Sequence, residues 1–130
     1  GAVRERRRFK NLIVNVGLNQ VKNRMSNPTT AGAVFGFVAI GTGPVPETRV
    51  DTALGTEAAR GATTYTAGGT GVCTVDRTFP AGTGTGAITE VGLFDAGAAG
   101  NMFNRKTFAA INKTASDALK ASCTLTLVAV

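Results

Sequence analysis

The last stretch of the chain carries the pattern that most limits what it can fold into. Between Leu119 and Leu127, apolar and polar residues alternate over more than four periods. Successive side chains of a β-strand point to opposite faces, so this alternation predicts a strand. One of its faces belongs to a core, and the other faces water or a partner. The apolar positions are Leu119, Ala121, Cys123, Leu125 and Leu127.

Further segments also have the character of strands. Val34 to Ile40 is apolar on both strand faces, which is typical of a strand buried on both sides. Thr63 to Tyr65 and Gly71 to Phe79 read as strands around a Gly68-Gly69 turn. Ile88 to Asp95 is a strand that ends in a glycine-rich turn.

Composition and length agree with a β protein of one domain. The chain has 130 residues, 17 glycines and only 6% aromatic residues, which favours strands and turns over helices. We predict a mainly β fold, an antiparallel β-sandwich that forms a single domain over residues 11–130. A basic arm over residues 1–10 precedes it.

Two helical segments are expected within this fold. Apolar residues recur at helical spacing from Arg8 to Met25, which predicts an N-terminal helix with a kink or interruption at Gly17. The segment Asp51 to Arg60 predicts a short second helical turn, centred on residues 54–59, in which Glu57 and Arg60 stand three residues apart.

The positive charge of the chain is concentrated at its start. Five of the 14 lysines and arginines, namely Arg4, Arg6, Arg7, Arg8 and Lys10, fall within the first ten residues. Such an arm can bind an acidic protein neighbour or the phosphates of a nucleic acid. We favour the protein neighbour, because no aromatic residues interleave with the basic ones for base stacking. We expect the arm to be disordered in the isolated protein, since its charges repel.

The residues for catalysis are missing or scattered, so we predict that the chain is not an enzyme and binds no cofactor or metal. It contains no histidine, and its aspartates lack calcium-loop spacing. Glu90 stands in the middle of a predicted strand and must be paired if it faces inward. Arg60 and Arg105 are its candidate partners in a structural ion pair.

The two cysteines allow two interpretations. Cys73 and Cys123 both fall on the apolar faces of predicted strands, where a disulfide would close a loop of roughly fifty residues. We favour buried free thiols, which pack as small apolar groups in a protein made in the cytosol. No apolar run approaches the ~20 residues that a membrane-spanning helix needs, so we expect no membrane association.

The order of these segments resembles the domain at the N-terminus of tail-collar fibre proteins of tailed phages. The similarity extends from about Asn11 to Leu127, and its most specific part is the strand end at Glu90 to Asp95. The other matching pieces are Val16-Gly17-Leu18-Asn19, the strand ending Val38-Ala39-Ile40-Gly41-Thr42-Gly43, Leu54-x-x-Glu57-x-x-Arg60 and the closing alternating strand.

The resemblance implies a structural protein of a phage virion, without an active site. The basic arm departs from the fibre pattern, as does the end of the sequence directly after the last strand, which leaves no shaft or receptor-binding tip. A free-standing domain with an adhesive arm is expected to be a capsid decoration or cement protein that binds other virion proteins, above all the major capsid protein. It is expected to form a homo-oligomer such as a trimer. A tail, collar or baseplate protein is the alternative, and a nucleic-acid-binding module is a weaker one.

Overall fold

The computed structural model describes Val3, residues 5–26 and residues 32–129. Eight strands and one helix follow one another along this part of the chain. They are β1 (Leu12–Ile13), α1 (Asn15–Ser26), β2 (Phe37–Gly41), β3 (Glu57–Ala62), β4 (Thr64–Ala67), β5 (Val72–Phe79), β6 (Gly86–Phe94), β7 (Met102–Lys113) and β8 (Leu119–Thr126).

The strands form two antiparallel sheets, which confirms the predicted mainly β fold with an N-terminal helix. One sheet has the order β1-β7-β6-β2-β3 and the other the order β4-β5-β8. Apolar side chains from both sheets meet between them in two clusters. The first contains Val38, Ile40, Phe79 and Ile88, and the second contains Val75, Leu93, Phe103 and Cys123.

A third apolar cluster covers the opposite face of the larger sheet. Val14 precedes the helix and packs there with Ala39, Phe94 and Met102, while Leu54 covers the cluster from the loop between β2 and β3. The strand β2 is therefore buried on both faces, as its continuous apolar sequence predicts. It begins only at Phe37, however, and Val34 is 80% exposed.

The N-terminal helix is shorter than its apolar spacing predicts. It begins at Asn15, because Leu12 and Ile13 pair with β7 opposite Arg105 and Asn104 instead of entering a helical turn. Gly17 lies in the first turn of the helix, so it does not divide a longer helix in two. It lies where α1 crosses the backbone of β7 at Phe103.

The predicted second helical turn is wrong. Glu57–Ala62 forms the edge strand β3, which pairs with β2 from Phe37 to Gly41. The preceding amides of Gly55 and Thr56 donate to the Glu90 carboxylate, at 2.8 Å each. Because these two amides are held by a side chain distant in sequence, they are not available for the hydrogen bonds of a helix.

Candidate functional site

The described part of the basic arm lies along the outer edge of β7. The ring of Phe9 stacks on the ring of Phe108 with 5.0 Å between centroids. Two residues earlier, the Arg7 guanidinium donates to the carbonyl oxygens of Ala109 and Ala110. These contacts continue the antiparallel register in which Leu12 pairs with Arg105. The arm therefore follows the path of an added strand.

This placement differs from the disorder that the charge of the arm predicts. The stacked ring of Phe9 supplies an apolar contact, and β1 leaves the carbonyl groups at the far end of β7 available to Arg7. Glu5 neutralises Arg7 at 2.6 Å. The side chains of Arg6, Arg8 and Lys10 make no hydrogen bond or ion pair with any other described residue; Arg4 lies outside the described residues.

Beside the arm, the two sheets separate and leave a groove with a volume of about 960 Å³. We call it the inter-sheet groove. One wall is β7 with the arm, and the other wall is β8. Its lining is mixed: apolar residues such as Phe108 and Leu119 alternate with polar ones such as Asn11 and Asn104, and exposed basic residues of the arm also border it. Sequence reasoning did not find this groove, because it depends on how the two sheets are arranged.

Glu90 occupies the opposite face of the larger sheet, where it forms a buried ion pair with Arg105. The Glu90 side chain is fully buried, and its Oε1 accepts from both Nε and Nη2 of Arg105, at 3.0 and 2.9 Å. Its two oxygens also accept the backbone amides of Gly43, Gly55 and Thr56 at 2.7 to 2.8 Å. Of the two candidate partners, Arg105 thus binds Glu90, whereas Arg60 pairs with Glu57 at 2.6 Å.

A β-bulge explains why Glu90 points to this face. The register between β6 and β7 shifts between Ile88 and Glu90. Ile88 consequently faces the core between the sheets, while Glu90, two residues later, faces the loop between β2 and β3. Between these positions β6 advances by two residues and β7 by four, from Ile111 to Thr107. Such an interruption of the ladder bends the strands and changes the direction of their side chains.

Five donated hydrogen bonds occupy the Glu90 carboxylate and determine its chemistry. Burial acts to raise its pKa, but the amides of Thr56 and Gly55 and the Arg105 guanidinium outweigh burial and lower the pKa below its ordinary value. The group is therefore ionised at neutral pH, and a carboxylate has about four lone-pair positions, all of which are engaged. This arrangement supports the structural interpretation of Glu90, which joins the loop between β2 and β3 to the sheet.

Two further carboxylate clusters could not be predicted from the sequence, because each carboxylate is distant in the sequence from a basic residue that binds it. Asp95 accepts from Arg24 at 3.0 Å, and its two oxygens also accept the backbone and side-chain amides of Asn101 at 2.7 and 2.9 Å. Glu47 binds Lys106 at 2.7 Å and accepts the hydroxyl and amide of Thr107. The first cluster joins the turn after β6 to α1, and the second joins the loop between β2 and β3 to the middle of β7.

These carboxylates should make the free energy of unfolding depend on pH in the acid range. Burial opposes ionisation of Glu47, but Lys106 and Thr107 lower its pKa from 4.5 to about 2. The pKa values of Asp51, Glu90 and Asp95 are also lowered, because hydrogen bonds and arginines outweigh burial. We expect the free energy of unfolding to be constant from pH 7 to about 5 and to fall between about pH 4.5 and 2, as protons bind preferentially to the unfolded chain.

Urea unfolding at successive pH values measures this loss. Glu47→Gln should be less stable than the wild type at pH 7, and its stability should decline less steeply between pH 4.5 and 2. A wild-type stability that does not change down to pH 2 would contradict the assignment.

Both cysteines are free thiols, as favoured from the sequence, but only Cys123 is buried as expected, whereas Cys73 is partly exposed. Cys123 is buried and faces the amides of Asn104 and Asn11, with nitrogen–sulfur distances of 3.5 and 3.6 Å. Burial raises the pKa of the Cys123 thiol despite these two donors. The thiol therefore stays protonated at neutral pH and packs as a core group.

Neither a metal centre nor a membrane span is found in the described residues. No three acidic or cysteine side chains among them come together in a way that could hold a metal ion. Their helices include none with the length and apolar character needed to cross a membrane. No protein-family model matches the chain, and no curated protein or solved structure is significantly similar to it.

Proposed function

We propose that this chain is a structural component of a tailed-phage virion, most specifically a capsid decoration protein that binds the shell and stabilises it. One observation carries the proposal. The domain holds a basic arm on the outer edge of a sheet, with Arg6, Arg8 and Lys10 exposed and unpaired among the described residues. Charges that a fold presents without internal partners are available to a partner. The phage assignment itself rests on the resemblance in sequence.

The net charge and the arm together favour an acidic protein as that partner. The chain carries a formal net charge of +6, and exposed cations steer it toward a surface of opposite sign. For a nucleic acid, aromatic rings should be free to stack on bases. The interpretation of the sequence overlooked Phe9, which lies between Arg8 and Lys10 in the arm. Its ring, however, stacks on Phe108. We therefore place the major capsid protein ahead of nucleic acid, with a homo-oligomer such as a trimer as the attached form.

Locating the protein on particles tests this function. Gold labelling of purified virions should place it on the capsid in a copy number that matches the shell lattice. Labelling confined to the tail, collar or baseplate would assign it to those structures instead. Absence from intact particles would overturn the proposed function.

Removal of the arm should weaken attachment without affecting the fold. A chain lacking residues 1–8 loses Arg4, Arg6, Arg7 and Arg8 but keeps all strands, so its thermal unfolding midpoint should change little. Its binding to particles should fall, and the loss should be largest at low salt, where the charges are least screened. Cosedimentation with particles stripped of this protein, at about 10 mM and 300 mM salt, measures both effects.

A charge-matched control separates the arm from general electrostatics. Lys22→Ala combined with Arg49→Ala removes two cations that are exposed elsewhere on the domain, and it should bind nearly as the wild type does. Arg6→Ala combined with Arg8→Ala should bind less. If truncated and intact chains attach equally at low salt, the arm is not the anchor.

A further inference from the structure

The strand β8 forms one edge of the smaller sheet and borders the inter-sheet groove. It pairs with β5 in an uninterrupted register from Leu119 to Thr126. The Leu127 amide donates to the Gly71 carbonyl at 2.8 Å. In an antiparallel pair, the residues whose backbone groups bond to the partner strand recur at every second position, so Leu119, Ala121, Cys123 and Leu125 also direct theirs toward β5. The amide and carbonyl groups of Lys120, Ser122 and Thr124 consequently point away from β5. Among the described residues, no backbone group bonds to them, and an edge of this kind is a template for another strand.

The groove has the shape and surface that an added strand needs. The backbone edge of β8 forms one wall, and Phe108 and Ile111 of β7 lie across from it. Phe9, Phe108 and Leu119 are partly exposed and form an apolar floor, beneath which Val38, Ile88 and Leu93 are buried in the core. A strand added to β8 would direct every second side chain onto this floor, because side chains alternate between the two faces.

The charges at the rim select the occupant. Five basic residues line the groove, against two acidic ones, Glu5 and Asp117, and neither Arg6 nor Arg8 has an acidic partner among the described residues. The basic residues are Arg6, Arg7, Arg8, Lys113 and Lys120. Lys120 is 62% exposed and has only the 3.5 Å contact to Asp76. A second copy of this chain, with its net charge of +6, would add repulsion at this rim. An acidic segment would relieve it.

We propose that the inter-sheet groove binds an extended, acidic segment of a partner protein, which adds to the edge of β8 as a further strand. Apolar side chains of the segment face the floor, and acidic side chains between them lie near Arg6, Arg8 and Lys120. The partner's backbone supplies hydrogen bonds to Lys120, Ser122 and Thr124, while the alternating side chains provide selectivity. This inference rests on the proposed function and names the kind of shell segment that is bound.

Binding of a model peptide to the whole chain tests the proposal. The probe is a fluorescent eight-residue peptide in which valine and glutamate alternate, and the comparison peptide alternates valine and lysine. We expect the glutamate peptide to bind, and to slow amide hydrogen exchange at Lys120, Ser122 and Thr124. The lysine peptide should bind at least about tenfold more weakly, because it meets like charges at the rim.

Two variants identify the edge and the rim. Ser122→Pro removes one outward amide, and proline is tolerated where an edge strand faces solvent. It should weaken peptide binding by about tenfold relative to Ser122→Ala, which keeps the amide. If the proline variant does not fold, Arg6→Glu with Arg8→Glu serves instead: it should weaken binding of the glutamate peptide, whereas Arg49→Glu, outside the groove, should not.

The outcomes separate this proposal from the proposed function. No peptide binding at millimolar concentration, or equal binding by Ser122→Pro and Ser122→Ala, overturns the groove assignment. Self-association that Ser122→Pro abolishes, without peptide binding, would assign the edge to a second copy and also overturn it. Peptide binding with the expected variant effects supports the groove even if the protein is absent from virions. If Ser122→Pro attaches normally to particles, β8 does not contact the shell, and the proposed function still stands.

Discussion

Replacing Glu90 with alanine should lower the free energy of unfolding by about 4 kcal/mol, the largest loss that we expect from one substitution in this chain. The change removes two of the four hydrogen bonds of the Arg105 guanidinium, whose side chain is 3% exposed and which keeps Asp51 and the Val45 carbonyl as partners. It also leaves the amides of Gly43, Gly55 and Thr56 without an acceptor. A buried group that loses its partner keeps its desolvation cost, so breaking a buried pair costs more than the pair contributes.

The matched control is the ion pair on β3, in which the carboxylate is exposed and the Arg60 side chain is only 7% exposed. Glu57 is 36% exposed and binds Arg60 at 2.6 Å, and Arg60 also donates to the carbonyl oxygens of Ala96 and Ala99. Glu57→Ala should cost less than about 1 kcal/mol, because the carboxylate that is lost is exposed to solvent and Arg60 keeps both carbonyl acceptors. Urea unfolding at pH 7 compares the two variants.

A third variant distinguishes loss of charge from loss of shape. Glu90→Gln keeps the size of the side chain and one acceptor oxygen, but it presents an amide NH₂ to backbone donors. Its stability should lie between that of Glu90→Ala and that of the wild type. Equal stabilities for Glu90→Ala and Glu57→Ala would show that the buried network does not hold the loop between β2 and β3.

Local pattern was sufficient where strands pair regularly with their neighbours. The alternation from Leu119 to Leu127 gave β8 nearly to the residue, and Gly71 to Phe79 gave β5. These two strands pair with each other across eight positions without a bulge. In such a ladder each residue faces the side that its period of two predicts.

Local pattern failed where a contact distant in sequence determines the backbone. Glu57–Ala62 has helical spacing, yet it is a strand, because Glu90 holds the preceding amides and β2 pairs with the segment. Leu12 and Ile13 have the spacing of a helical face, yet they join β7. Both errors arise from contacts between residues that are distant in the sequence, from 16 positions for Gly41 and Glu57 to 93 positions for Leu12 and Arg105, and propensity carries no information about such contacts.

The candidate site divides in the same way. The arm residues and the pairing requirement of Glu90 follow from composition and from the cost of burying a charge. The choice of Arg105 over Arg60 does not, because it depends on the bulge that turns Glu90 away from Ile88. The inter-sheet groove likewise depends on the distance between the two sheets at β7 and β8. The sequence pattern of one strand carries no information about that distance.

Gly17→Ala should destabilise the protein, although helix propensity predicts the opposite. Alanine is preferred over glycine in a helix by about 1 kcal/mol. A Cβ atom at Gly17, however, would lie 2.9 Å from the Phe103 carbonyl carbon and closer still to its oxygen. Phe103 belongs to β7, which is paired on both sides, so its backbone cannot move without disturbing the sheet. Overpacking of this kind costs about 3 kcal/mol, which leaves a net loss of about 2 kcal/mol.

Gly69→Ala is the control for this substitution. A Cβ atom at Gly69 would meet no atom within 4 Å, and the free energy of unfolding should therefore change by less than about 0.5 kcal/mol. Urea unfolding of the two variants under one set of conditions compares them. A stabilised Gly17→Ala would mean that α1 does not pack closely against β7. Because the helix covers the apolar cluster around Val14 and Met102, that result would also remove the reason for glycine at the point where the helix crosses the strand.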